Sequence, residues 1–207
     1  MAGLPERRPL LCYITDRRGV KDLLAVIGQA LAAGVDLIQI REKDMETRPL
    51  LALVEAALTR ARGTATRILV NDRLDVALAA RADGVHLPAH GLPVAEVRRA
   101  YPELLIGASC HDLAELRAAE AGGADFAVFG PVFTPLSKES ARPPVGVEKL
   151  ADAARAVKIP VFALGGITVE NAAECLRAGA AGLAAISLFQ KSENLNRTVQ
   201  QLRAMTS

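Results

Sequence analysis

The chain has 207 residues, of which 51% are hydrophobic and only 3% aromatic, and it carries a formal net charge of +2. This length suits one domain with a core of alanine, valine, leucine and isoleucine, and so small a charge argues against nucleic acid as a partner. Three cysteines without metal-like spacing, no secretory signal pattern and no apolar run of bilayer length predict reduced thiols, a cytoplasmic location and no membrane partner.

Short apolar segments alternate with segments of helical spacing from one end of the chain to the other. The helical spacing is clearest in 50–58 and 113–119, where apolar residues recur three or four positions apart. Strands that alternate with helices predict a parallel sheet whose faces the helices cover. Eight helices and eight strands are predicted, the strands at Leu10–Thr15, Leu37–Arg41, Arg67–Asn71, Gly84–Leu87, Leu105–Ser109, Phe126–Phe129, Val161–Leu164 and Gly182–Ile186.

A weak repeat favours closure of these strands into a barrel. The repeated segments lie where a helix ends and an even-numbered strand begins, namely at Ala33–Gln39, Ala82–His86, Gly123–Val128 and Gly179–Ala184. Glycine there suits a left-handed helix end, although general βα turn chemistry would give a similar pattern. The alternative is an open doubly wound sheet, but no G-x-G-x-x-G follows the first strand. We therefore predict an α/β fold, a single (β/α)8 TIM barrel over residues 10–207, after a short lead-in of residues 1–9.

Polar residues gather at the carboxyl ends of the predicted strands, which is where barrels of this class carry their functional sites. In chain order they are Thr15-Asp16, Gln39 with Arg41 and Lys43, Asn71-Asp72, His86, Ser109-Cys110-His111, Gly130 to Lys138, Gly165-Gly166 and Ser187. This convergence indicates a site more strongly than any single motif does.

The second strand predicts an anion site. Gln39, Arg41 and Lys43 alternate at a period of two, so all three side chains point to one face, which in a barrel is the lumen. Arginine grips phosphate oxygens in pairs and lysine acts as a point charge. The alternative is that the strand ends near Arg41 and leaves the two cations in a surface patch with Glu42 and Asp44.

Two later loops also predict a phosphorylated ligand. The segment Phe129–Lys138 opens a Gly-Pro loop that carries a hydroxyl and a lysine, and Gly165–Thr168 lies where a strand passes into a helix, whose unpaired N–H groups favour phosphate. The loop of residues 134–145 is long enough to close over a substrate and contribute Lys138, or it is an exposed connector.

Three groups leave more than one interpretation open. Asn71-Asp72 suits either a cap of the third helix or, through Asp72, a ligand for a hard divalent cation. His86 lies among apolar residues and is predicted to be packed or hydrogen-bonded in the core, whereas His111, at a strand end, is the better candidate for proton transfer. A covalent mechanism through Cys110 is disfavoured, because neighbouring residues on a strand face opposite sides.

Taken in order, these motifs resemble the thiamine phosphate synthase family, and the related thiazole tautomerases share much of the pattern. The resemblance spans about residues 10 to 190. It rests on Tyr13–Asp16, Gln39–Lys43, Asn71-Asp72, Ala82–Leu87, Gly107–His111, Phe129–Phe133 with Ser137-Lys138, and Gly165–Thr168.

The resemblance implies a barrel enzyme, a transferase that joins hydroxymethylpyrimidine diphosphate to a thiazole phosphate through a pyrimidine-methyl cation and releases pyrophosphate. It implies Mg²⁺ as cofactor, phosphorylated small molecules as partners and, since such barrels often pair through outer helices, a homodimer as the assembly to consider. Together with the residues singled out above, this gives the predicted site: Asp72 for metal binding; Lys138, Ser109 and His111 for catalysis; and Gln39, Arg41, Lys43, Asn71, Ser109, Ser137, Lys138, Gly166, Ile186 and Ser187 for substrate binding.

The chain departs from the family pattern at two points. Gly91 stands where a second metal-binding aspartate is expected, and the diphosphate loop reads Thr134-Pro-Leu-Ser-Lys138, with its first hydroxyl displaced. Loss of a carboxylate weakens a Mg²⁺ site. Two alternatives follow: a metal-independent thiazole tautomerase that uses His111 as its proton shuttle, and a non-catalytic regulator that binds thiamine phosphate.

Overall fold

The computed structural model describes Leu4, residues 9–134 and residues 143–205. Its eight parallel strands close into a barrel in chain order, with β1 hydrogen-bonded to both β2 and β8. The predicted TIM barrel is therefore confirmed, and every strand ends within one residue of its predicted bound. The strands are β1 (Leu10–Ile14), β2 (Leu37–Ile40), β3 (Arg67–Asn71), β4 (Gly84–Leu87), β5 (Leu105–Cys110), β6 (Phe126–Phe129), β7 (Val161–Leu164) and β8 (Gly182–Ala185).

Helices cover the outside of the barrel. In the described part of the chain, two helices follow β8 where one was predicted, because the first of them has only four residues and is too short to show helical periodicity in the sequence. The helices are α1 (Leu23–Ala33), α2 (Thr47–Ala61), α3 (Leu74–Ala80), α4 (Val94–Ala100), α5 (Leu113–Ala121), α6 (Gly146–Ala156), α7 (Val169–Arg177), α8 (Ser187–Gln190) and α9 (Leu195–Arg203).

The barrel interior is a packed core. The rings of Phe126 and Phe162 lie 5.0 Å apart at its centre. Around them pack the buried side chains of Leu10, Cys12, Ile14, Leu37, Leu69, Leu105, Val128 and Ala184. A separate, larger cluster fills the space between the strands and the helices. Because these side chains fill the interior of the barrel, the open space lies at the carboxyl ends of the strands.

The sequence repeat corresponds to a repeated structural device at the amino ends of the strands. Before β2, β4 and β6, an aspartate forms two hydrogen bonds with one residue of the preceding strand. Its carboxylate accepts from the backbone N–H of that residue, and its own backbone N–H donates to the carbonyl of that residue. The pairs are Asp36 with Leu11, Asp83 with Ile68 and Asp125 with Ile106. Each aspartate also pairs with an arginine: Arg203, Arg67 and Arg98 respectively. In the fourth repeat Ala181 occupies the aspartate position.

Replacing Asp36 by alanine is expected to lower the free energy of unfolding by about 3–5 kcal/mol, since it removes one partner of a buried ion pair. The Asp36 carboxylate accepts from Leu11 N–H at 2.7 Å and from Arg203 Nη2 at 2.6 Å. The matched control is Asp152→Ala, which breaks an exposed 2.6 Å pair with Arg155 and should cost about 0–1 kcal/mol. Urea unfolding of both variants checks this, and equal losses would contradict it.

Candidate active site

A cavity of about 440 Å³ lies at the carboxyl ends of the strands. All eight strands or the loops that follow them contribute to its wall. Its floor is apolar and is formed by Ile14 and Val128, which also belong to the interior core. The site therefore sits directly on the packed interior of the barrel, where the strands fix the positions of the side chains.

Nine of the predicted site residues line this one cavity: Gln39, Arg41, Lys43, Asn71, Ser109, His111, Gly166, Ile186 and Ser187. Asp72 does not line it and lies exposed at the rim. Ser137 and Lys138 fall in the segment 135–142, outside the described residues. Cys110 packs in the outer cluster, and burial raises the pKa of its thiol to about 12, which argues against a thiolate nucleophile.

A buried carboxylate holds the loop that carries Arg41. Glu42 has a side chain only 1% exposed, and it accepts hydrogen bonds from Thr15 Oγ1 at 2.5 Å and from the backbone N–H of Arg17 at 3.0 Å. Thr15 Oγ1 in turn accepts from the N–H of Arg41 at 2.9 Å, and the Arg17 guanidinium pairs with Asp44 at 2.5 Å. The loops after β1 and β2 are thus fastened together behind the cavity wall.

This arrangement makes the surface-patch interpretation of Arg41 and Lys43 wrong. The two acidic neighbours in sequence, Glu42 and Asp44, are engaged by Arg17, while Arg41 and Lys43 line the cavity. Strand β2 ends at Ile40, yet the alternation of side chains continues through Lys43. Sequence reasoning missed Glu42, although its position between two lumen-facing residues indicates that it faces the other way.

Arg41 and Lys43 bring positive charge to the cavity. Neither Arg41 nor Lys43 forms an ion pair with another residue in the described ranges. The nearby Asp16 carboxylate pairs with Arg18 at 3.0 Å, and that hydrogen bond is the main reason why the pKa of Asp16 lies below its usual value. Two cations without an ion-pair partner among the described residues, above an apolar floor, would suit an anion that has an organic portion.

His86 lies in the cavity wall below these cations. It is 2% exposed, and its Nε2 is 2.8 Å from Ser109 Oγ. Burial, and secondarily the charge of Arg41, lowers the pKa of His86 to about 3, so the imidazole is neutral at physiological pH. The predicted hydrogen-bonded core histidine is therefore confirmed, but it also contacts the cavity.

His86 is expected to make the fold sensitive to acid. Below pH 6.5, the pKa of this histidine in the unfolded chain, His86 is protonated in the unfolded chain but stays neutral in the folded one. The free energy of unfolding therefore falls with pH until the pH reaches the folded-state pKa of about 3. From pH 7 to pH 5 this loss amounts to about 2 kcal/mol. Urea unfolding of wild type and His86→Gln at both pH values checks it; equal losses in the two proteins would contradict the prediction.

His111 is oriented by a carboxylate that the sequence did not single out. Glu115, in the first turn of α5, accepts from the backbone N–H of His111 at 2.7 Å and lies 2.9 Å from its Nδ1. Because the carboxylate accepts, Nδ1 carries the proton and Nε2 is left as the basic nitrogen of a side chain that lines the cavity. Spacing of four residues across a helix start is the signal that would have found this pair.

Asn71 and Asp72 do not cap the third helix. The residue before α3 is Arg73, and no side chain there bonds to the helix N–H groups. Asp72 adopts a left-handed backbone conformation with φ 65°, which aspartate tolerates better than most residues. Gly91, which stands where the second aspartate was expected, lies next to Asp72. A Cβ placed on Gly91 would be 3.2 Å from Asp72 Oδ1.

The donor set at this rim fits Mg²⁺ bound together with a substrate. No three histidine, cysteine, aspartate or glutamate side chains of the described residues come together as a metal cluster. Mg²⁺ is commonly held by one or two carboxylates plus substrate phosphates and water, which matches a single exposed carboxylate beside an anion site.

The fold and the cavity define a TIM barrel with a cavity at the carboxyl ends of its strands that Arg41 and Lys43 line. A sequence model of the family described as thiamine monophosphate synthase matches residues 11–189. The chain belongs to this family, which confirms the resemblance drawn from the motifs.

Individual relatives agree with this assignment. A putative thiamine-phosphate synthase of Geobacter sulfurreducens is 50% identical over 180 residues, which cover 86% of this chain and 84% of that protein. The thiamine-phosphate synthase of Chlorobium luteolum is 41% identical over 198 residues, covering 95% and 92%. The solved thiamine phosphate pyrophosphorylase from Pyrococcus furiosus superposes with a TM-score of 0.85 at 36% identity and covers 95% of each chain. No helix in the described ranges is both long and apolar enough to span a membrane.

Proposed function

We propose that this chain is a thiamine-phosphate synthase, which condenses hydroxymethylpyrimidine diphosphate with a thiazole phosphate, or with its carboxylate and loss of CO₂, and releases pyrophosphate. Family membership and the names of its relatives support the proposal. The observation that carries it is the convergence of nine predicted site residues on one cavity, in which Arg41 and Lys43 have no ion-pair partner among the described residues.

The chemistry that this cavity suits is ionisation. The bond between the pyrimidine methylene and the bridging oxygen breaks, its electron pair leaves with pyrophosphate, and the thiazole nitrogen bonds to the resulting cation. Arg41 and Lys43 stabilise the charge that develops on the leaving group, and Ser109 and Lys138 are assigned to the same anion. The apolar floor formed by Ile14 and Val128 would keep water from the cation.

The remaining assignments concern the second substrate and the metal. Gly166, Ile186 and Ser187 lie on the loops after β7 and β8 and are proposed to hold the thiazole phosphate. Asp72 would hold Mg²⁺, which when bound would offset negative charge on the diphosphate oxygens. A cytoplasmic location and a homodimer remain predictions from the sequence.

Incubation of the purified protein with both substrates, with and without Mg²⁺, tests the proposal. We expect thiamine phosphate and pyrophosphate in equal amounts, and only with Mg²⁺. Failure to form product from either thiazole tautomer would refute it. Tight binding of thiamine phosphate without any turnover would instead favour the regulator.

One observation supports a second candidate, the thiazole tautomerase. The pair of His111 and Glu115 leaves a basic nitrogen at the cavity, which suits proton transfer on a thiazole ring. In that case isomerisation of the thiazole carboxylate phosphate would proceed in EDTA and would be abolished in His111→Asn, whereas the synthase reaction requires the metal.

A further inference from the structure

The hydrogen bond between His86 and Ser109 has a direction that the surroundings of the imidazole determine. Nε2 lies 2.8 Å from Ser109 Oγ, while Nδ1 is buried and has no hydrogen-bond partner among the described residues. A neutral imidazole carries one proton. If that proton is on Nε2, histidine donates to the serine; if it is on Nδ1, the serine donates to the histidine.

Gly107 decides between these two tautomers. It pairs with His86 across β4 and β5, and a Cβ placed on it would lie 2.6 Å from His86 Nδ1. The same Cβ would lie even closer to Phe126 Cζ, so the glycine hydrogen in this direction faces Nδ1 and the edge of the Phe126 ring, and the gap is too small for water. A lone pair facing C–H is weakly favourable, whereas an N–H there would be a buried donor without an acceptor, which native structures rarely contain.

The direction fixes what Ser109 can do. A hydroxyl group has one proton, and a serine that donates to histidine offers only lone pairs to the cavity. A serine that accepts from Nε2–H keeps its own proton free to donate. Ser109 lines the same cavity as Arg41 and Lys43, so a free O–H there suits an anionic oxygen.

We propose that His86 is a positioning residue: as the Nε2–H tautomer it donates to Ser109 Oγ and thereby directs the Ser109 hydroxyl proton toward an oxygen of the bound diphosphate. The proposal rests on the diphosphate site of the proposed function. Gly107 contributes to this role: because it has no side chain, it leaves room for the imidazole orientation that selects the tautomer.

The tautomer is measured on the wild-type protein. Long-range proton–nitrogen NMR of ¹⁵N-labelled histidine distinguishes protonated from bare ring nitrogens, and the chain has only three histidines. The resonance that disappears in His86→Gln identifies His86. We expect a protonated Nε2 and a bare Nδ1. A protonated Nδ1 would overturn the proposal for His86. If the same protein still synthesised thiamine phosphate, the proposed function would nevertheless stand.

The effect on the anion is measured with inorganic pyrophosphate by calorimetry. Loss of a hydrogen bond to a charged group should weaken binding about 10-fold or more in Ser109→Ala. His86→Leu should cause a several-fold loss when Ser109 is present and none when it is alanine. His86→Gln, whose side-chain amide can replace the Nε2–H donor, should recover most of the affinity.

Two results would refute this role. A loss in His86→Leu that persists in the Ser109→Ala background would make His86 structural only. Equal losses in His86→Leu and His86→Gln, both folded by circular dichroism, would show that the donor is irrelevant. If a leucine variant fails to fold, the NMR tautomer and the glutamine variant still decide the question.

Discussion

Replacing Arg41 by alanine is expected to lower kcat/KM for the pyrimidine diphosphate by about 10²–10³-fold, because a preorganised charge that faces the leaving group contributes most in the transition state. Arg41 lines the cavity, has no ion-pair partner among the described residues, and is held through its backbone N–H by Thr15. Steady-state kinetics with each substrate varied in turn checks the prediction.

The matched control removes the same charge from outside the cavity. Arg48, in the first turn of α2, is exposed and does not line the cavity. Arg48→Ala should change kcat/KM by less than about three-fold, since exposed charges are screened by salt. If both variants lost activity to the same extent, the effect would come from overall charge and not from a contact with the diphosphate.

The proposed anion site shows how much the sequence could predict. The alternation of Gln39, Arg41 and Lys43 was enough to predict a common face, because side-chain direction in an extended chain is a local property. What holds that face in place was not predictable in the same way. Thr15 and Arg17 lie more than 20 residues from Glu42, and only the closed barrel brings them to its carboxylate.

Residue types that suit two conformations explain why the sequence left both interpretations of Asn71-Asp72 open. Asn71-Asp72 is as typical of a helix cap as of a left-handed turn, since both residues tolerate either. In the structure Asp72 adopts the left-handed conformation and α3 begins two residues later, after Arg73. The sequence predicted that the pair lies at the mouth of the barrel. Excluding the cap required the backbone geometry, and the ligand role of Asp72 stays a prediction.

His86 and Ser109 show the same division between local and long-range information. The apolar neighbours of His86 predicted burial. Its partner lies on the next strand, two residues beyond the register partner Gly107, and only the pairing of β4 with β5 places both on one face. Strand order was predictable, whereas strand register was not, and the register decides which polar residues meet.

Replacing Asp72 by asparagine is expected to lower turnover by about 10²-fold or more at a fixed Mg²⁺ concentration. Bound Mg²⁺ contributes several kcal/mol of charge stabilisation, and Asp72 belongs to no cluster of three or more metal-ligating side chains in the described part of the chain. The control is Asp75→Asn. Asp75 is 62% exposed and is paired with Arg73 at 2.6 Å, so turnover should change little.

Metal binding gives a readout that does not depend on turnover. With Gly91 beside Asp72, one carboxylate leaves most of the coordination shell to phosphate oxygens and water, so binding should depend on the diphosphate. Titration with Mn²⁺, followed by electron paramagnetic resonance, should show at least ten-fold tighter binding with pyrophosphate present than without it. That gain should be lost in Asp72→Asn and kept in Asp75→Asn. Tight binding without pyrophosphate, or an unchanged gain in Asp72→Asn, would place the metal on other ligands and remove the reason for assigning Asp72 to it.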